Sequence, residues 1–161
     1  MSFEILVADL EYPPHQAAIC DLLNSYASDL MGRGMALSAS VQRQLIEGLK
    51  EHPTTLVLLA FAENHPVGLA VCFRGFSTFA AKPLLNIHDL AVLPEYRGQG
   101  IGRQLLTETH RRAAELGCCK VTLEVREDND RAQRLYRSLG YGVRNGDGEA
   151  AMLFWEKALE S

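Results

Sequence analysis

Apolar residues recur along this chain with two periods, and each switch between them marks a new element. Phe3, Ile5 and Val7 alternate with Glu4 and Leu6, which predicts a short strand over residues 3–8. Tyr12-Pro13-Pro14 then breaks that strand. Ala18, Cys20, Leu22, Leu23 and Tyr26 fall near one face of a helix over about residues 15–29. Met31-Gly32-Arg33-Gly34-Met35 reads as a flexible connection. Ser38 or Ser40 caps a second helix, with Val41, Leu45, Ile46 and Leu49 at helical spacing and His52-Pro53 ending it. Residues 55–62 are continuously apolar and predict a central strand. Glu63-Asn64-His65-Pro66 is turn chemistry, and residues 67–73 return as an antiparallel partner. Residues 74–83 read as a loop in which Phe76-Ser77-Thr78-Phe79 sets two aromatics and two hydroxyls, packed down by its own phenylalanines or open to a ligand.

The second half keeps the same logic. Residues 84–92 predict a buried strand with one polar interruption, and Ile101, Leu105, Leu106, Thr109, Ala113 and Leu116 line a helix that Gly117 stops. Residues 120–125 alternate as a strand. Asp128, Asn129 or Asp130 caps a further helix carrying Ala132, Leu135, Tyr136 and Leu139, and Asp130 with Gln133 would make a capping box. After Gly140, residues 141–144 predict a strand, Asn145-Gly146-Asp147-Gly148 a hairpin turn, and residues 150–156 the last strand. No repeat, linker or low-complexity tract interrupts the series, so a single domain over residues 1–161 is expected.

Composition narrows this little. The 161 residues are 47% hydrophobic and 22% charged, as in an ordinary globular protein. A net charge of −4 argues against nucleic acid as a partner. Cys20, Cys72, Cys118 and Cys119 lack metal-ligand spacing. With no basic leader and no apolar run near 18 residues, reduced thiols in a cytoplasmic protein without a membrane segment are expected.

The chemistry concentrates in Arg97-Gly98-Gln99-Gly100-Ile101-Gly102, between a strand and a helix. Glycines let the backbone approach a phosphate, and first-turn N–H groups lack intrahelical partners and point at it. Arg97 and Arg103 add charge at the two ends. From Gly98 the sixth position is Arg103 rather than the glycine of a dinucleotide fold, and the Gly-Lys-Ser/Thr of an NTPase loop is missing. A left-handed turn without a ligand is the plainer alternative.

Val92-Leu93-Pro94-Glu95-Tyr96 followed by Arg97-x-x-Gly100-x-Gly102 resembles the acetyl-CoA-binding motif of the GNAT superfamily of N-acetyltransferases. Asn129-x-x-Ala132-x-x-Leu135-Tyr136-x-x-x-Gly140-Tyr141 is similar to that family's second motif, and the resemblance covers about residues 55–156. It implies an α+β, α/β/α layered fold: a mixed, mostly antiparallel twisted sheet with helices on both faces. The cosubstrate implied is acetyl-CoA, with no metal. Its pyrophosphate would lie on the amides of Gly98, Gln99, Gly100, Ile101, Gly102 and Arg103, with Arg97 beside them. Its pantetheine arm would run along Leu90, Ala91 and Val92, where that strand and residues 120–125 splay apart. A bulge near residues 89–91 would turn backbone groups into the gap, and an N–H near Leu90 would meet the thioester oxygen.

Further roles follow from the resemblance. Tyr136 stands where the family has a tyrosine beside the CoA sulfur, and would give a proton to the leaving thiolate. Asn129 would bond the pantetheine amides or simply cap its helix. The acceptor amine needs a base, for which His88, Asp89 and Glu124 are candidates. His88-Asp89 stands where diamine and polyamine acetyltransferases of the superfamily have Glu-Asp, and Phe76-Ser77-Thr78-Phe79 is similar to a loop of that subgroup. Histidine can accept a proton, but it does not hold a cationic amine as a carboxylate does. The expected acceptor is a primary amine of a small molecule entering beside that loop. A protein N-terminus or lysine, or CoA binding without turnover, is the alternative. A homodimer is compatible with this reading.

Overall fold

The computed structural model describes residues 2–142 and 153–159, in two compact units, Met1–Glu124 and Val125–Ser161. The first unit holds five strands, β1 (Phe3–Val7), β2 (Thr55–Ala62), β3 (His65–Ser77), β4 (Lys82–Val92) and β5 (Val121–Leu123), adjacent in that order across one sheet. The first four pair antiparallel and β5 runs parallel to β4, giving the mixed, mostly antiparallel sheet of the expected fold. Helices α1 (Pro13–Ser28), α2 (Ala39–Glu51) and α3 (Ile101–Glu115) complete the unit.

β2 is apolar on both faces because both faces are covered. On one side Ala18, Ile19, Leu22 and Leu23 of α1 and Leu49 of α2 pack on Val57, Leu59, Leu69 and Val71. On the other side Ile101 and Leu105 of α3 reach down onto Gly68, which alternates with Leu69 along β3. Leu58, Leu59, Leu69, Leu105 and Leu106 are fully enclosed, each burial stabilising by about 1.5–3 kcal/mol.

Several elements differ from the sequence expectation. α1 opens at Pro13-Pro14, two residues before the expected start near residue 15, since proline in the first turn gives up an N–H that has no partner there anyway. Ser38, not Ser40, caps α2, its Oγ accepting from the Val41 N–H at 3.2 Å. The loop expected over residues 74–83 is mostly ladder. Arg74 pairs with Leu85 and Ser77 with Lys82, leaving residues 78–81 as the tip. Pairing with β4 overrides the Gly and Ser content of that stretch. Phe76 and Phe79 stand exposed at this tip and are not packed down. Leu116 is exposed as well: α3 ends at Glu115, and Leu116 is its cap before the turn at Gly117, whose φ is +73°. β5 spans three residues, shorter than residues 120–125.

The second unit contains α4 (Asp130–Ser138). Asn129 caps it, Oδ1 accepting from the Ala132 N–H at 3.1 Å. The Asp130–Gln133 capping box does not form, because Asp130 already lies inside the helix and Gln133 Nε2 donates to the carbonyls of Arg126 and Glu127. Tyr141, Gly142 and residues 153–156 are in no regular element. The rest of the two expected last strands and their turn lie outside the described residues.

Candidate active site

β3 meets β4 with Val71 opposite Asp89 and Cys72 opposite Ile87, so His88 is an extra residue on β4. The bulge therefore sits at His88, just before the span 89–91 expected from sequence. Residues facing each other across an antiparallel pair share a side of the sheet. Val71 belongs to the core under α1 and α2, so Asp89 follows it to that side. His88 goes there too. Its exposed ring meets Phe73 edge-on at 5.7 Å, and Phe73 also packs towards that core and against His52 at 4.6 Å. The bulge thus gathers two ionisable groups on one face where alternation would have divided them. Burial pushes the Asp89 carboxyl above the ordinary carboxylate range, against the opposing pull of His88.

The β4–β5 ladder runs through Leu85 with Val121, Asn86 with Thr122 and Ile87 with Leu123, and ends there. Asn86 Nδ2 donates to Thr122 Oγ1 at 3.0 Å at this parting point. Beyond it, residues 89–92, including half-buried Leu90, Ala91 and Val92, pair with β3 alone among the described strands. Among the described strands one edge of β4 is unpaired there, the kind of edge to which an extended, amide-bearing chain adds. Continuing the β5 register brings exposed Glu124 level with His88.

β4 leads directly into the glycine turn. Leu93 donates its N–H to the Val67 carbonyl at 2.9 Å, a short 3-10 turn covers Pro94–Tyr96, and Gly98 and Gly100 take φ of +78° and +88°. Only the left-handed region brings the chain round into α3 here, and glycine enters it without a Cβ penalty. Among the described residues, the backbone N–H groups of Gly98, Gln99, Gly100, Ile101 and Gly102 have no acceptor; the first helical bond is Gln104 N–H to the Gly100 carbonyl. A Cβ built on Gly100 meets nothing within 4 Å, so the space at Gly100 is open among the described residues. Unclaimed donors at a helix start beneath open space fit a phosphate group.

Arg97, expected beside the pyrophosphate, makes two contacts within the protein that the sequence did not suggest. Its Nε donates to the Val92 carbonyl at 3.0 Å and its Nη2 to Asp29 Oδ2 at 2.8 Å. The guanidinium braces the turn. Asp29, immediately after α1, is held below the ordinary carboxylate range by the Met31 N–H and by Arg97. Sequence reasoning missed Asp29 because 68 residues separate it from its partner and neither lies in a periodic pattern with the other. It missed Phe73 and His52 because both read as ordinary strand and helix-end residues.

His88, Asp89, Leu90, Ala91, Val92, Arg97 and the glycine turn are thus brought together in the first unit. Asn129 and Tyr136 belong to the second. There Tyr136 is buried on α4 with its ring 5.8 Å from that of Tyr141, and the side-chain oxygen of Asn129 serves as the helix cap. The register also separates two features that sequence reasoning had joined. Phe76 lies opposite Pro83, five residues before His88, roughly 17 Å along the strand.

Residues 17–141 match the family described as Acetyltransferase (GNAT) family. The chain is 30% identical over 136 residues to an uncharacterized N-acetyltransferase, YhfO, of Bacillus subtilis (strain 168), covering 81% of this chain and 85% of that one. A thialysine N-epsilon-acetyltransferase of Bos taurus is 36% identical over 74 residues, which span 46% of this chain and 43% of that protein. Among solved structures, an aminoglycoside acetyltransferase from an uncultured soil metagenomic sample, in complex with sisomicin, superposes with a TM-score of 0.77 at 22% identity, covering 98% of this chain and 97% of that one. The AAC(6')-Iy structure in complex with a CoA bisubstrate analog gives a TM-score of 0.74 at 16% identity over 99% and 100% of the two chains. These two show a shared fold. The family match runs from α1 past α4, and YhfO aligns over most of both chains: this chain belongs to the GNAT family of acetyltransferases, acyltransferases that draw their acetyl group from acetyl-CoA.

Proposed function

We propose that the protein transfers the acetyl group of acetyl-CoA to a primary amine of a small molecule. One observation carries this reading: the bulge that brings His88 and Asp89 to one face lies at the start of the open β4 edge, and that edge leads straight into the unclaimed amides of residues 98–102. Acetyl-CoA would supply an activated acyl group. The amides of Gly98, Gln99, Gly100, Ile101 and Gly102, with Arg103, hold its pyrophosphate, and Leu90, Ala91 and Val92 offer backbone partners along the open edge. Arg97 contributes by bracing the turn.

The acceptor must shed a proton, because an ammonium has no lone pair. His88 is assigned to take it, directly or through a water, since it is exposed beside the open edge. Asp89 stands next to it, and a carboxyl raised by burial holds a proton more readily than an exposed one. As the new C–N bond forms the C–S bond breaks, and Tyr136, assigned by its motif alone, would donate its phenol proton to the departing CoA thiolate. The thialysine and aminoglycoside enzymes among the relatives support a small amine acceptor. A polypeptide acceptor is the second reading, favoured by the exposed Leu30, Met35, Phe76 and Phe79.

Thiol release from acetyl-CoA, followed over a panel of amines, amino acids and peptides, tests the reading. Turnover with small amines is expected, and turnover with peptides alone would transfer the assignment to the second reading. On the best acceptor, His88→Ala should lose the rising limb of kcat/KM against pH. A retained limb would remove His88 from the proton path.

A further inference from the structure

The loop between α1 and α2 reads as flexible in sequence, yet it is wound around one residue. Asp29 Oδ1 accepts the Met31 N–H at 2.9 Å, and the Asp29 carbonyl accepts the N–H groups of Gly32 and Gly34, both at 3.0 Å. Arg33 and Met35 donate their N–H groups to the Ala27 carbonyl, and Asn24 Oδ1 takes the Leu37 N–H at 2.9 Å. Gly32 has no alternative: a Cβ there would lie 2.0 Å from the Tyr26 carbonyl oxygen. The remaining oxygen of Asp29 is the one that receives Arg97 Nη2 at 2.8 Å. Arg97 in turn is fixed to the end of β4 through the Val92 carbonyl and opens the glycine turn. A half-buried ion pair is stronger than an exposed one, and here both members are also hydrogen-bonded to backbone.

We infer that Asp29 is a positioning residue: through Arg97 it couples the α1–α2 loop to the anion-binding turn, so that filling the turn tightens the loop. The inference rests on the cofactor site of the proposed function and names a residue that reading does not use. The loop joins the two helices covering the face on which His88 and Asp89 stand, so its state bears on how the acceptor is received. The coupling is reciprocal. Whatever orders the loop strengthens the turn's hold on its ligand by the same factor.

Hydrogen exchange with and without coenzyme A, at CoA concentrations saturating for each protein by calorimetry, tests this. In the wild type, CoA should slow exchange of the amides of residues 31–35 by about fivefold or more, alongside those of residues 98–103. Arg97→Gln keeps every internal bond of the loop and cuts the strut. Asp29→Asn keeps the Met31 bond and turns an amide towards Arg97. Both variants should retain CoA-dependent protection at residues 98–103 and lose it at residues 31–35. Protection of the loop that survives in either folded variant overturns the inference, as does a wild-type loop indifferent to CoA. Loss of CoA binding in Arg97→Gln but not in Asp29→Asn overturns it too, by making Arg97 a direct phosphate ligand. A wild type that binds no CoA fails differently, removing the cofactor site itself.

Discussion

Gly68, on β3, pairs with Val92 of β4 beneath the first turns of α3. A Cβ at this position would lie 3.0 Å from the Ala91 carbonyl oxygen, 3.2 Å from Leu105 Cδ1 and 3.3 Å from Ile101 Cγ2. The two methyl groups can yield by a few tenths of an ångström, but the carbonyl belongs to the β4 backbone and cannot swing away without disturbing the ladder. Overpacking of this kind costs about 1–3 kcal/mol. Loss of glycine's freedom in the unfolded chain offsets about 0.4–1 kcal/mol, leaving a net loss of about 1–2 kcal/mol for Gly68→Ala. Gly75, on the same strand, has only Leu84 side-chain atoms at 3.4 and 3.6 Å, so Gly75→Ala meets ordinary contact and should gain up to about 1 kcal/mol. The two substitutions thus differ in sign. With a urea slope of about 2 kcal/mol/M, the midpoint should fall by roughly 0.5–1 M in Gly68→Ala and rise slightly in Gly75→Ala. Because Ile101 is the first residue of α3, relieving the clash also shifts the turn amides, and CoA affinity should drop by roughly 2- to 10-fold. Equal midpoints for the two variants would refute this account of how α3 is seated.

Three further expectations can be checked separately. Gly102→Val places a branched side chain on a helical residue of the turn proposed to hold the pyrophosphate, so the protein should fold while CoA affinity falls about tenfold or more, the loss of one charge-assisted bond; unchanged affinity by calorimetry would contradict the site. Tyr136→Phe keeps the buried ring and removes the hydroxyl, so kcat should fall by about 10²–10⁴-fold with little change in KM for acetyl-CoA; a loss below about threefold would leave Tyr136 a packing residue. Glu108, bonded first by Arg111 and then by Arg112, is held down at about 2. A depressed folded value contributes stability that is present above the ordinary glutamate range and lost as pH falls towards 2, here about 0.5–1 kcal/mol because the pair is solvent-screened. Urea midpoints of Glu108→Gln should therefore fall less steeply than wild type between about pH 5 and pH 2, and parallel curves would exclude the contribution.

Much of this fold was legible because its elements have strong periods. The boundaries of β2 fall where the apolar run begins and ends, and the buried residues Ile101, Leu105, Leu106, Thr109 and Ala113 of α3 are the predicted stripe. Legibility fails where pairing, not composition, decides. Arg74, Gly75 and Ser77 read as loop but are held in the ladder by β4. The glycine turn was visible as a string of residue types, whereas the bulge was expected only through the family resemblance, and near residues 89–91 instead of at 88, because an unpaired residue exists only relative to its partner strand. His88 therefore appeared one side of a boundary that the register draws on the other. The use of Arg97 was hidden for the same reason: its spacing in the motif says nothing of Asp29, which arrives from a distant helix end. For Asn129 the simple reading as a helix cap is the one observed, and a cap oxygen leaves its amide nitrogen uncommitted.

The open edge of β4 has a bearing on solubility. Five residues, 88–92, expose strand edge on the side away from β3 among the described residues, and such an edge is a template for the strand of another molecule. The His88 bulge disturbs the geometry that a foreign strand would need, and the edge stops where Pro94 begins a turn. A ligand arm that occupies the same edge would act as a guard as well as a reactant. Preparations freed of CoA should then show more self-association on concentration than those kept saturated, so that colloidal behaviour during purification reports on site occupancy.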